Sequence, residues 1–202
     1  MGITVIIIGV NEWDRFTSPC IESLKRREPG AKIVLVDNGS NPAYPTVPGV
    51  EIVRLNKTVS YAEAINAGLR DDEWVIVTNN DVLFYKPLAE QLEKLDKNNL
   101  YGFWEHETNG VKWLSGWCFL IPDEVLFGTG MFDEEFKPMW FEDADYSLRA
   151  KAEGFGLVNL DRERWGIEHL ALGRSKERLD YIAEHDKAHR KNLAYLVKKH
   201  GL

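Results

Sequence analysis

The run Ile3-Thr4-Val5-Ile6-Ile7-Ile8 is β-branched almost throughout and lacks the polar alternation of a strand with one wet face. Such a segment needs apolar cover on both sides, which a mainly parallel sheet flanked by helices supplies. The segments that follow fit that arrangement. Ser18-Pro19 predicts a helix with Ser18 as N-cap and Pro19 at its first position, ending near Arg27 before Pro29-Gly30. Further buried strands are expected at Lys32 to Val36, Glu51 to Leu55 and Trp74 to Thr78. Ser60-Tyr61-Ala62-Glu63 is a capping box opening a helix that should end near Arg70. Strand and helix therefore alternate, which implies an α/β fold with a covered parallel sheet.

The second half has a different rhythm. Leu100 to Trp104 and Val111 to Ile121 read as strands joined through the turn signal Asn109-Gly110. A helix is expected from Glu142 to about Glu153, stopped by Gly154, then a short strand from Gly156 to Leu160. From about Lys176 to His200, Leu179, Ile182, Ala183, Leu193, Leu196 and Val197 recur at helical spacing.

At 202 residues the chain can build one substantial core, and a single domain over 1–202 is expected. A formal net charge of −7 provides no basic field for a phosphate backbone, so nucleic acid is not an expected partner. Cys20 and Cys118 fit no metal spacing and read as buried free thiols, which favours a cytoplasmic setting. The apolar stretch Ile3 to Val10 is far short of the ~20 residues that span a bilayer, so neither signal peptide nor membrane anchor is expected. Lys187, Arg190, Lys191, Lys198 and Lys199 read first as a solvated helix face, with weak peripheral attraction to an anionic membrane as the lesser reading.

Ligands of open α/β sheets sit beyond the carboxyl ends of the strands, and Asp37 and Asp81 both follow such ends. Asp37 suits a base N–H or a ribose hydroxyl, and Asn38-Gly39-Ser40 suits a turn around a ligand; a plain turn and helix cap explains the same residues. Asp81, beside Asn79 and Asn80, offers oxygen to a hard divalent cation, or serves as a cap. Glu142, Asp143 and Asp145 complement a helix dipole in any case. At 3.6 residues per turn they cannot share one direction, so one acid can face a cleft while another pairs with Arg149. Trp140 and Phe141 either shield a carboxylate and raise its pKa or form a hydrophobic staple. His169 is a candidate metal ligand or a satisfied structural histidine.

Taken in order from Ile3 to Ser175, these segments resemble family-2 glycosyltransferases with a GT-A, Rossmann-like fold. The resemblance rests on Val10-Asn11, Val36-Asp37-Asn38-Gly39-Ser40, Ala64-Ile65-Asn66-Ala67-Gly68-Leu69, Thr78-Asn79-Asn80-Asp81-Val82, Leu114-Ser115-Gly116-Trp117-Cys118-Phe119 and Phe141-Glu142-Asp143-Ala144-Asp145. It implies a nucleotide-binding half over 1–81, an acceptor-side half over 82–175 and a C-terminal helix over 176–202. Asn79 stands where the family's D-x-D-type motif has its first acid, and Ile65 where a number of relatives have Arg.

The implied chemistry is inverting, metal-assisted transfer from a nucleoside-diphosphate sugar (UDP, GDP or dTDP type) to an acceptor hydroxyl. Asp143 is then the base. Asp81 and His169 hold Mn²⁺ or Mg²⁺, and Val10, Asn11, Asp37, Asn38, Asn66, Asn80, Gly116, Trp117, Trp140 and Glu142 line the substrates. Trp117 and Trp140 are the candidate sugar-stacking walls, against a core-filling role. A nucleotidyltransferase lacks support because Gly9-Val10-Asn11-Glu12 is not a Gly-rich phosphate loop, and a dinucleotide oxidoreductase because G-x-G-x-x-G is absent there. A non-catalytic sugar-nucleotide or carbohydrate-binding module is the remaining alternative.

Overall fold

The computed structural model describes residues 1–170 and 179–202, apart from the side chains of 179–185. The chain runs β1 (Ile3–Gly9), a π-helical turn (Trp13–Thr17), α1 (Ser18–Arg27), β2 (Lys32–Asp37), β3 (Val50–Arg54), α2 (Tyr61–Gly68), β4 (Trp74–Asn79), β5 (Val82–Phe84) and α3 (Ala89–Leu92). It continues through β6 (Asn99–Gly102), β7 (Glu105–Thr108), β8 (Val111–Leu114), β9 (Cys118–Pro122), α4 (Asp123–Thr129), α5 (Glu142–Ala152), β10 (Gly156–Asn159), α6 (Arg162–Trp165), β11 (Ile167–His169) and α7 (Leu179–His200).

Seven strands form one sheet in the order β10-β6-β9-β4-β1-β2-β3. The pairs β4-β1, β1-β2, β2-β3 and β10-β6 are parallel, whereas β9 runs antiparallel to both β4 and β6. The side chains of β1 divide between two cores. Val5 and Ile7 pack with Cys20, Ile21 and Leu24 of α1, while Ile6 and Ile8 pack with Ala62, Ala64 and Ile65 of α2. Each fully buried Ile contributes about 1.5–3 kcal/mol, so this central strand is a main anchor of the fold.

Five local readings need correction. The strand expected to be buried at Glu51 to Leu55 is β3, at the edge of the sheet, with Glu51 and Arg54 exposed. Ser18 is not an N-cap: Thr17 before it is already in right-handed helical geometry, because the π-helical turn feeds directly into α1. The predicted strand Val111 to Ile121 is two strands, β8 and β9, since Ser115-Gly116-Trp117 leaves the ladder to meet α5. Asn109 and Gly110, both at positive φ, join β8 to β7 and not to the strand beginning at Leu100. In α7 the buried ridge is Ala188, Asn192 and Leu196, whereas Leu193 and Val197 are 40% and 38% exposed. The helix start expected near Lys176, the end of the family resemblance at Ser175, and the side chains of Leu179, Ile182 and Ala183 lie outside the described residues. The capping box holds: Ser60 accepts from the Glu63 backbone N–H while the Glu63 carboxylate accepts from that of Ser60.

Both cysteines are free and buried, and burial pushes the Cys118 thiol up to about 12. Among the described residues no helix is long and apolar enough to cross a membrane.

Candidate active site

Parallel pairing aligns the carboxyl ends of three strands, with Gly9 opposite Asp37 and Ile8 opposite Asn79. Val10, Asn11, Asp37, Asn38, Asn80 and Asp81 consequently share one rim. On the β1–β2 side of that rim the polar groups are largely engaged with the protein itself. Asp37 is 2% exposed; its Oδ1 accepts from the Ser40 N–H (3.0 Å), and its Oδ2 accepts from the Tyr44 N–H (2.9 Å) and Arg54 (3.1 Å). The Asn38 amide pairs with both backbone groups of Val59, donating at 3.2 Å and accepting at 2.9 Å. Asn80 donates to Thr17 Oγ1 at 2.8 Å, and Asn11 Oδ1 accepts from the Asn41 N–H at 2.9 Å. Val10 is exposed, and Asn11 and Glu12 both carry φ of 53°. Asn66, on α2, is engaged in the same way: it brackets Phe132, accepting from its N–H and donating to its C=O, each at 2.9 Å.

The other side of the rim has groups left over. Antiparallel pairing of β11 with β5 sets His169 opposite Val82 and so beside Asp81. His169 Nε2 lies 3.1 Å from Asp81 Oδ1, close but not aligned as a hydrogen bond, and among the described residues neither that oxygen nor His169 Nδ1 has a hydrogen-bond partner. Trp117 stacks on the imidazole with centroids 4.8 Å apart at 12°, and on its other flank meets Phe103 at 5.7 Å. At 7% exposure Trp117 fixes the orientation of His169. A buried carboxylate oxygen without a donor, facing an imidazole nitrogen, is a donor set that suits Mn²⁺ or Mg²⁺. No group of three or more His, Cys, Asp or Glu poised for a metal occurs among the described residues. Among the described residues Asp81 and His169 are thus the two candidate ligands of such an ion.

The third component is the start of α5. Trp140 and Phe141 enter it at φ 86° and 70°, a left-handed conformation that costs on the order of 1–3 kcal/mol per non-glycine residue and clusters at functional sites. Glu142, 7% exposed, has an Oε2 with no hydrogen-bond partner among the described residues, and burial together with the charge of Asp143 raises its pKa well above the carboxylate range. Asp143 is raised too, mainly by burial, although the N–H groups of Gly116 (2.9 Å, to Oδ2) and Ala144 (2.8 Å, to Oδ1) oppose the shift. Gly116 is required there, because a Cβ on it would stand 2.9 Å from Asp143 Cβ. Asp145 takes no part: fully buried, it pairs with Arg149 (2.8 Å), Lys199 (2.7 Å) and His200 (2.8 Å).

Tyr61 went unnoticed in the sequence except as part of a capping box, yet it sits where these components meet. Its hydroxyl donates to Asn79 Oδ1 at 2.6 Å and approaches the Gly116 carbonyl at 3.4 Å. Its pKa is raised well above the ordinary value by burial and then by the charges of Glu142, Asp81 and Asp143. A groove of about 370 Å³ lined by Thr4, Lys32, Glu51 and Arg70 lies at the opposite, amino ends of β1 and β2 and shares no residue with this acidic centre.

Comparison with known proteins gives the arrangement its context. The family model described as glycosyl transferase family 2 matches residues 4–114, more than half of the chain. The N-acetylglucosaminyl-diphospho-decaprenol L-rhamnosyltransferase of Mycobacterium tuberculosis is 22% identical over 236 residues, spanning 84% of this chain and 75% of that protein. Among solved structures, S. aureus TarS 1–349 in complex with UDP superposes with a TM-score of 0.62 at 16% identity, covering 80% of this chain and 58% of that one. The mannosyltransferase PcManGT from Pyrobaculum calidifontis, in complex with GDP-Man and Mn²⁺, gives 0.57 at 16% identity, covering 79% and 54%. The chain thus spans little more than half the length of these two solved proteins, and at such identities the likeness establishes the fold, a GT-A arrangement. With its strand order, rim and family match in agreement, the chain belongs to glycosyl transferase family 2.

Proposed function

We propose that the protein transfers a hexosyl or deoxyhexosyl group from a nucleoside-diphosphate sugar to an acceptor hydroxyl, with inversion at the anomeric carbon. The observation that supports this reading is that Tyr61 and Gly116 join the strand end at Asn79 to Asp143, with a buried oxygen of Asp81 and one of Glu142 unpartnered among the described residues. Asp143 accepts the proton of the acceptor hydroxyl while that oxygen attacks the anomeric carbon. The bond from that carbon to the diphosphate oxygen breaks, and its electron pair leaves with the nucleoside diphosphate. A raised carboxylate pKa suits a base working near neutral pH. Asp81 and His169 would hold the Mn²⁺ or Mg²⁺ whose charge offsets that of the departing diphosphate.

The rest of the rim takes supporting roles in this proposal. Asp37 and Asn38 shape the loop against which the nucleoside rests, with Val10, Asn11 and Asn80 along its edge, and Gly116 and Glu142 beside the reacting sugar. Trp117 acts on the site through His169, and Trp140 borders the acceptor side. The solved relatives hold UDP and GDP-Man, and the mycobacterial relative is named a rhamnosyltransferase. These names support a nucleotide-sugar donor as a class and leave base and sugar to experiment.

A thermal-shift panel of nucleoside diphosphates and nucleotide sugars with and without Mn²⁺, followed by assay of diphosphate release from the stabilising donor, tests the proposal. Stabilisation by a nucleotide sugar with release of diphosphate is expected. Stabilisation without release under any acceptor would point instead to a sugar-nucleotide-binding module.

A further inference from the structure

The segment leading into Glu142 and Asp143 is held from outside by α7. Asn192 is 1% exposed, and its Nδ2 donates to the carbonyls of Met139 (2.9 Å), Lys137 (3.3 Å) and Trp140 (3.3 Å). Three residues earlier, the His189 ring meets Phe141 at 4.8 Å and Trp140 at 5.8 Å. Four residues later, Leu196 packs with Phe136 and Ala144. The same face ends on Tyr195, which donates to Asp133 Oδ2 at 3.0 Å, and on Lys199, which bridges Asp133 (2.6 Å) and Asp145 (2.7 Å). One helix face thus touches the segment before the acids and the first turn that carries them.

Packing alone does not explain Asn192. Its buried Oδ1 has no hydrogen-bond partner among the described residues, so this position tolerates an unsatisfied acceptor in order to aim an amide at three carbonyls. Those carbonyls belong to the stretch that ends in left-handed Trp140 and Phe141. A backbone in that conformation persists only where its surroundings over-determine it. We propose that Asn192 is a positioning residue: by gathering the carbonyls of 137–140 it fixes the left-handed entry into α5, and so the direction in which Glu142 and Asp143 project toward Gly116. The effect on catalysis rests on Asp143 being the base, as proposed above; the clamp itself does not.

Hydrogen–deuterium exchange on the full chain, comparing the wild type with Asn192→Ala and Asn192→Ser, reads the clamp without any substrate. Loss of the amide should speed exchange at Met139 to Asp143 about tenfold while β1 and β4 stay protected, with a smaller change for Ser, which keeps one donor. In the transfer assay kcat should fall about tenfold or more, as displaced catalytic groups do, with nucleoside-diphosphate affinity within about twofold. Unchanged exchange across 139–143 in a folded variant would overturn the proposal, and so would faster exchange with unchanged kcat. A wild-type chain that turns over no donor would sink the proposed function, while the exchange result still decides the clamp.

Discussion

Two parts of the rim use their polar groups in opposite ways. Around Asp37 and Asn38, side-chain oxygens and nitrogens are engaged by backbone groups and Arg54, so the loop after β2 is a preformed, internally bonded shape. Asp81 Oδ1 and Glu142 Oε2, both buried, have no donor among the described residues, and His169 Nδ1 has no partner among them either. Burying such groups costs about 1–3 kcal/mol each where nothing compensates. Under the proposed function this difference is a division of labour, with the first region supplying shape for the ligand and the second charge and proton transfer. Substitutions should therefore damage chiefly stability in the first region and chiefly turnover in the second.

The largest effect is expected at Asp143. Asp143→Asn keeps the volume beside Gly116 but can accept from only one of the Gly116 and Ala144 N–H groups, so it should cost about 1–3 kcal/mol of stability, leave donor binding intact and lower transfer by the ~10²–10⁴-fold that follows loss of an acid–base group. Near-normal turnover in this variant would move the base to another acid and blur the division.

Asp37→Ala comes next and should behave differently. Removing the acceptor of the Ser40 and Tyr44 N–H groups and of Arg54 should cost about 1–3 kcal/mol of stability and weaken nucleoside and nucleoside diphosphate alike, because the loop itself is disturbed. A selective loss for the diphosphate would show that Asp37 serves the phosphate side.

A smaller, pH-dependent effect is expected at Glu142. Because burial raises its pKa in the folded state, the stability it contributes is complete below the ordinary carboxylate pKa and is lost as pH climbs through the raised folded value. Glu142→Gln cannot ionise, so it should raise Tm by about 2–6 °C near pH 9 and change it little near pH 4. An equal shift at both pH values would mean that Glu142 is not strained by ionisation.

Much of the fold is legible in the sequence, and little of the unsatisfied side of the rim is. The β-branched run of β1, the Ser60–Glu63 capping box and Gly154 after α5 are local signals with local causes, and the structure honours them. The acids of α5 were visible as a group. That Asp145 would anchor the C-terminus depends on Lys199 and His200, more than fifty residues away. Tyr61 and Asn192 are invisible for the same reason, since their partners Asn79 and Met139 lie 18 and 53 residues distant. Helix α4 could have been found, because Pro122 precedes Asp123 and Glu124 in its first turn. The break between β8 and β9 could not, since it exists to bring Gly116 to Asp143.

Calorimetry of nucleoside-diphosphate binding with Mn²⁺ and with chelator, in the wild type, Asp81→Ala and His169→Ala, tests most directly whether the unsatisfied side of the rim is a cation and diphosphate site. Two protein ligands should bind the ion weakly alone and well once diphosphate oxygens complete the shell. Mn²⁺ should then strengthen wild-type binding by about tenfold or more, do so less in His169→Ala, and have no effect in Asp81→Ala. Identical wild-type affinity with Mn²⁺ and with chelator would contradict the account and leave Asp81 and His169 as a structural pair.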